Sequence, residues 1–180
     1  MSRVTPIDVA TATGETRALL DSVKAKLGIV PNLVRVLATA PAALSAYVGF
    51  SGALSKGTLD ARTKERIALA TAEVNSCDYC LAAHSFIGGK VGLDASEIAA
   101  ARTGASADAR AAAVARFARI VAETRGQVSD ADLAAVRAAG LTDGEIVEVV
   151  SHVALNVLTN FVNNVARTEV DFPAAKPLAA

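Results

Sequence analysis

The sequence predicts an all-α, single-domain protein, and three observations carry that prediction. Residues that start and stop helices punctuate the chain at helix-length intervals. No stretch alternates polar and apolar residues with period two over a useful length, so no strand is expected. Finally, 52% of the residues are hydrophobic but only 4% aromatic, and alanine is abundant. Such a chain fills its core by letting helices approach closely around small side chains, and 180 residues suffice for one sound core.

The elements follow in order. Residues 1–15 read as an extended N-terminal segment, 16–170 as the helical domain and 171–180 as an irregular tail carrying Pro173 and Pro177. A helix over Thr16–Leu27 stops at Gly28, and Pro31 ends the connection. A short helix from about Asn32 leads to Pro41, which suits the first position of a helix running to about Lys56. Asp60 caps a helix through Val74; Asn75 and Ser76 break it, with Ser76 as the fresh cap ahead of Cys77. That next helix is expected to end at Gly88–Gly89. A short helix from Asp94 to Arg102, a turn at Thr103–Gly104 and a long helix from Asp108 to Arg125 come next. Ser129 with Asp132 and Thr142 with Glu145 form capping-box patterns for the last two helices, the first ending at Gly140.

From Val149 to Ala166 there is no Asp, Glu, Lys or Arg, about the minimum run for a membrane span. His152, Asn156, Asn160, Asn163 and Asn164 interrupt it, and that many amides in a lone span would be costly in lipid. The run therefore reads as a buried core or interface helix. Buried amides usually tie down loop backbone or a helix end; the alternative is that His152, Asn156 and Asn160 face a functional pocket or a subunit contact. A formal net charge of zero gives no electrostatic reason to expect nucleic acid or an acidic membrane as partner. The first residues lack the apolar core of a signal peptide, so a cytoplasmic setting is expected. There, a cysteine pair points to redox chemistry or metal binding rather than a structural staple.

The two cysteines of the chain lie three apart and precede a histidine: Cys77-Asp78-Tyr79-Cys80-Leu81-Ala82-Ala83-His84. On a helix, offsets of three, four and seven return to one face. Helical Cα atoms three apart are roughly 5–5.5 Å from each other, within reach of a disulfide. His84, four residues after Cys80, is placed to accept a thiol proton. Cys77, in the first turn, gains from free N–H groups and the helix dipole, which favour thiolate. If the helices before and after Asn75 pack antiparallel, Glu65 and His84 lie at similar heights from the turn. Glu65 could then orient His84 and raise its basicity. By itself, however, Thr63-Lys64-Glu65-Arg66 reads as a solvated helix face, and Glu73 competes as the acid nearest the cysteines. Two further readings stay open: a pair of small buried hydrophobes, and a zinc site of Cys77, Cys80, His84 and His152, an unusual arrangement of ligands. Phe50 and Phe86 read as plain core, or as walls of a substrate pocket.

Together these residues resemble the carboxymuconolactone decarboxylase-like superfamily in its alkylhydroperoxidase D (AhpD) branch. That branch's pattern is Glu, eleven residues, Cys-x-x-Cys, three residues, His, matched by Glu65, Cys77, Cys80 and His84. The stretches LGIVPNLVRVLATAPAAL, NSCDYCLAAH, ETRGQVSDADLAAVRAAG and HVALNVLTNFVNNVARTEVDFP are similar to its peroxidase-related subgroup. The resemblance implies an AhpD-like multi-helical bundle that forms homo-oligomers and reduces hydroperoxides by cysteine oxidation, with neither cofactor nor metal. It implies Cys80 as the peroxidatic thiol, Cys77 as the resolving thiol, His84 as proton acceptor and Glu65 as its support. An external dithiol, of lipoyl type in the best-known members, would restore the pair. Where the family's reference member has a His before the second Cys, this chain has Tyr79. Alternatives are a thiol–disulfide oxidoreductase or redox adaptor without peroxide chemistry, a decarboxylase, and a non-catalytic helical oligomer. A thioredoxin-like fold is disfavoured because its motif follows a strand.

Overall fold

Nine helices make up the regular structure of residues 2–178, which this computed structural model describes, and no strand occurs among them. Met1, at the start of the expected N-terminal segment, and Ala179–Ala180, at the end of the expected tail, lie outside the described residues. The helices are α1 (Gly14–Leu27), α2 (Asn32–Leu37), α3 (Pro41–Leu54), α4 (Ala61–Val74), α5 (Asp78–Lys90), α6 (Ala95–Arg102), α7 (Ala109–Thr124), α8 (Asp130–Ala138) and α9 (Asp143–Ala166).

Local chemistry sets most of these boundaries. Asp60, Asp94 and Asp108 each accept a backbone N–H three residues ahead, capping α4, α6 and α7. Both capping boxes form, Ser129 with Asp132 at α8 and Thr142 with Glu145 at α9.

Several boundaries lie one or two residues from the sequence reading, α1 starting at Gly14 rather than Thr16 and α3 ending at Leu54 rather than near Lys56, and the two that flank α5 have a local cause. At the α4–α5 turn, Cys77 N–H donates to Ala72 O and Ser76 N–H to Glu73 O. That is the Schellman pair, with Ser76 as its left-handed residue at φ 49°. Ser76 is thereby spent on ending α4, so the cap of α5 is Cys77 itself, one position later than expected. Nor does Gly88–Gly89 end α5, which runs on to Lys90 and closes a second Schellman turn on Gly92 at φ 91°. Gly88 serves packing instead: a Cβ there would sit 3.3 Å from Leu93 Cδ1 and 3.9 Å from the Cβ of Glu65.

α4 is the hub, packed against α5, α6, α7 and α9. One core cluster joins α1–α3 to α5 through Leu20, Leu37, Leu44 and Leu81. A second joins α4 to α7, α8 and α9 through Ile67, Val114, Phe117 and Val149. Within it, α9 is long and apolar enough by length and composition to cross a membrane. Its buried stripe nevertheless carries His152, Asn156, Asn160 and Asn163, all packed into the bundle, so it acts as a core helix. The tail folds back on the domain: Phe172 meets Tyr79 edge-on at 5.7 Å, and Arg102 donates to Lys176 O at 2.6 Å. Phe50 and Phe86 are not core residues, being 37% and 43% exposed. Phe86 instead leans on Phe172 and lies under Lys90.

Candidate active site

The α4–α5 hairpin is held at its turn by α9. Asn75, which ends α4, donates to Asn160 Oδ1 at 2.9 Å and accepts from Asn164 Nδ2 through its carbonyl at 2.8 Å. Asn160 thus ties down a helix end rather than facing a pocket. With the turn fixed, the antiparallel register brings Glu65 Oε2 to 2.8 Å from His84 Nδ1. The neighbouring charges point elsewhere: Arg66 pairs with Glu97 and Glu73 with Arg102. Glu73 therefore does not compete for the imidazole. An ionised carboxylate only accepts, so Glu65 holds the proton of His84 on Nδ1 and leaves the Nε2 lone pair available.

Cys77 and Cys80 are joined by a disulfide with Cα atoms 5.2 Å apart. Cys77, at the cap, accepts the Cys80 backbone N–H on its sulfur at 3.2 Å. The two sulfurs differ in surroundings. Cys77 is wholly buried at the α4–α5 turn, whereas Cys80, though buried too, lines a cavity of about 220 Å³ together with Glu65 and His84. Asn163 donates to Cys80 Sγ at 3.3 Å from the opposite wall.

Three further helices complete that cavity: α2 gives Leu33, α3 gives Tyr47 and Ser51, and α9 gives His152, Asn156 and Thr159, while α4 also gives Lys64. Burial, and then the charge of Glu65, raise the Tyr47 phenol above its usual range. Burial likewise pushes the Tyr79 phenol up, more than the N–H that Leu33 donates to its oxygen at 3.2 Å can offset, and Asp171 adds to the rise. Both tyrosines therefore stay neutral. Tyr79, the residue just before Cys80, thus acts as a fixed acceptor that anchors α2, not as a base. Burial and the Lys64 charge lower the His152 imidazole below its ordinary value, against the opposing pull of Glu148 and Glu65.

The cavity thus gathers Glu65, His84 and Cys80, with Cys77 bonded behind them. His152 and Asn156 face it, while Asn160 does not. Asn163 was missed as a sulfur partner, although it lies seven residues, two turns, after Asn156. Among the described residues no group of three or more His, Cys, Asp or Glu side chains is placed to hold a metal ion.

Comparisons with known proteins bear on the fold and the family. The family model described as the carboxymuconolactone decarboxylase family matches residues 41–124, which span α3 to α7 and include the whole motif. A solved structure described as the alkylhydroperoxidase AhpD core of an uncharacterized peroxidase-related protein from Ralstonia eutropha JMP134 is 30% identical. Its TM-score is 0.82 over 94% of this chain and 92% of that one. An uncharacterized peroxidase-related protein from Silicibacter sp. TM1040 shares the fold at 24% identity and TM-score 0.79, over 92% and 91% of the two chains. The debrominase Bmp8 C82A, solved with 2,3,4-tribromopyrrole, shares it at 16% identity and TM-score 0.80, over 93% and 91%. No curated protein sequence matches.

Proposed function

This chain belongs to the carboxymuconolactone decarboxylase-like superfamily, in its AhpD-like branch, and from that premise we propose that it is a thiol-dependent hydroperoxide reductase. The observation that carries the reading is the shared cavity, lined by a carboxylate-held imidazole and by Cys80, the one cysteine of the pair that lines it.

In the reduced protein, His84 Nε2 takes the Cys80 thiol proton. The thiolate attacks the terminal peroxide oxygen; an S–O bond forms and the O–O bond breaks. The departing alkoxide collects the proton from His84 and leaves as an alcohol. Cys80 is now a sulfenic acid. Cys77 attacks its sulfur, the S–S bond forms, and hydroxide leaves as water with the Cys77 proton. An external dithiol, of lipoyl type by family likeness, then exchanges with the disulfide and is itself oxidised. Helix-terminus chemistry alone favours Cys77 as the first attacker, but Cys80 rather than Cys77 lines the cavity, which favours Cys80 for attack and Cys77 for resolution. The proposed setting is cytoplasmic and the assembly homo-oligomeric. A dehalogenation reading has only the shared fold behind it.

The test follows free thiols and peroxide together when reduced protein meets hydrogen peroxide or an organic hydroperoxide. Two thiols lost per peroxide consumed are expected, abolished in Cys80→Ser and slowed in His84→Ala. Undiminished consumption by Cys80→Ser sinks the proposal. Thiol loss with disulfide donors but none with peroxide selects a thiol–disulfide oxidoreductase instead.

A further inference from the structure

Part of the wall of the cavity that Cys80 lines carries polar groups with few protein partners. Lys64 lines the cavity and forms no ion pair among the described residues. Its ammonium finds only the Ser55 carbonyl, at 3.4 Å, longer than a good hydrogen bond. The two carboxylates nearest this wall are already engaged. Glu65 is held by His84, while Glu148 accepts Thr58 N–H and Oγ1–H at 2.8 Å each and Leu59 N–H at 3.1 Å. His152, its side chain 8% exposed, buries an Nε2 without any hydrogen-bond partner, since Glu148 Oε1 at 3.9 Å is out of range. Buried polar atoms are ordinarily satisfied. The Lys64 cation therefore lines one small space together with Ser51 and His152, whose Nε2 is sealed on the Glu148 side.

We propose that this wall is a recognition site for an oxyanion on the substrate, so that the preferred hydroperoxide is a small carboxylate-bearing one with Lys64 as counter-ion. The inference rests on the peroxidase reading and names its substrate class. At about 220 Å³ the cavity falls below the roughly 300–1,000 Å³ of sites for drug-sized ligands. It selects short hydroperoxides over lipid-length ones. The carboxylate sits at Lys64 and the peroxide points back at Cys80. Burial and the Lys64 charge lower the His152 pKa, so Lys64 is the charge that this wall offers.

The test compares tert-butyl hydroperoxide with 3-hydroperoxy-3-methylbutanoate, the same skeleton bearing one carboxylate. A kcat/KM ratio of about tenfold in favour of the carboxylate, carried by KM, is expected, the size of one charge-assisted hydrogen bond. The ratio collapses toward one in Lys64→Met and is kept in Lys64→Arg. Equal use of the two substrates by the native protein, or an unchanged ratio in Lys64→Met, overturns the proposal. Binding is read separately, by calorimetric titration of the oxidised protein with 3-hydroxy-3-methylbutanoate and with its uncharged amide. If neither hydroperoxide is consumed, the peroxidase reading fails, yet the titration still decides: tenfold tighter carboxylate binding that needs Lys64 supports the site, and equal binding removes it.

Discussion

Asn163 on α9 donates a hydrogen bond to Cys80 Sγ at 3.3 Å, across 83 residues of sequence. A donor fixed at that distance stabilises a thiolate more than a thiol, because the bond strengthens when its acceptor carries charge. Replacing Asn163 with Ala should raise the Cys80 thiol pKa in the reduced protein and slow peroxide consumption about tenfold, the worth of a hydrogen bond to a charged group. Ultraviolet titration of the thiolate in Cys77→Ser and in Cys77→Ser/Asn163→Ala isolates the Cys80 sulfur. Coincident titration curves would show that the amide serves packing alone.

Glu65 acts through His84 and not on the peroxide, so its removal should change the imidazole before anything else. Glu65→Gln keeps the shape but offers an amide that can donate as well as accept, so it no longer selects one tautomer. We expect nitrogen NMR of His84 to shift from a single Nδ1–H form to a mixture. Turnover should fall at least about tenfold, a fraction of the roughly 10²–10⁴ that general acid–base catalysis supplies. Glu65→Gln with reduced turnover but an unmoved His84 spectrum would assign the loss to some other cause.

What was legible in the sequence was what local chemistry determines. Asp60, Asp94 and Asp108 cap their helices because a short acidic side chain reaches its own N-terminal N–H groups wherever the chain sits. The Glu65–His84 pair was legible because two antiparallel helices share a turn, so register follows from counting. The cap at Cys77 was not, since Ser76 had two uses and only the tertiary turn decided that it would end α4. Tyr47, Ser51 and Lys64 were also hidden. A polar residue turned toward an internal cavity has the same spacing as one turned toward solvent, and only the packing of α3, α4 and α9 tells them apart.

His152 sets a pH dependence of stability whose sign can be worked out. Burial, then the charge of Lys64, hold its folded-state pKa below the ordinary value of 6.5, with Glu148 and Glu65 opposing. Below 6.5 the unfolded chain binds a proton that the folded site refuses, so the His152 contribution is full above that value and is lost as pH falls toward the lowered one. Urea unfolding at about pH 7.5 and about pH 5.5 should show native stability dropping between them. His152→Gln, which cannot take up the proton, should show a smaller drop. Equal drops would mean that His152 titrates alike in the folded and unfolded chain.

Glu148 and Gly57 should prove energetically coupled. The Glu148 carboxylate binds the α3–α4 loop through Thr58 and Leu59, and it fits because residue 57 has no side chain: a Cβ there would meet the carboxylate of Glu148, crowding Oε1, Cδ and Oε2 at once. Glu148→Ala leaves two backbone N–H groups and a hydroxyl without their protein partner and should cost about 2–3 kcal/mol. Gly57→Ala should reach a similar loss by a different route, displacing the carboxylate from the same three bonds, because a side chain so tethered cannot swing away freely. Once either change has broken the bonds, the other has little left to break. The double variant should therefore fall short of the sum by about 1 kcal/mol or more in urea melts, within the range seen for residues in contact. Strict additivity would mean that the carboxylate yields to the new methyl group without giving up the loop.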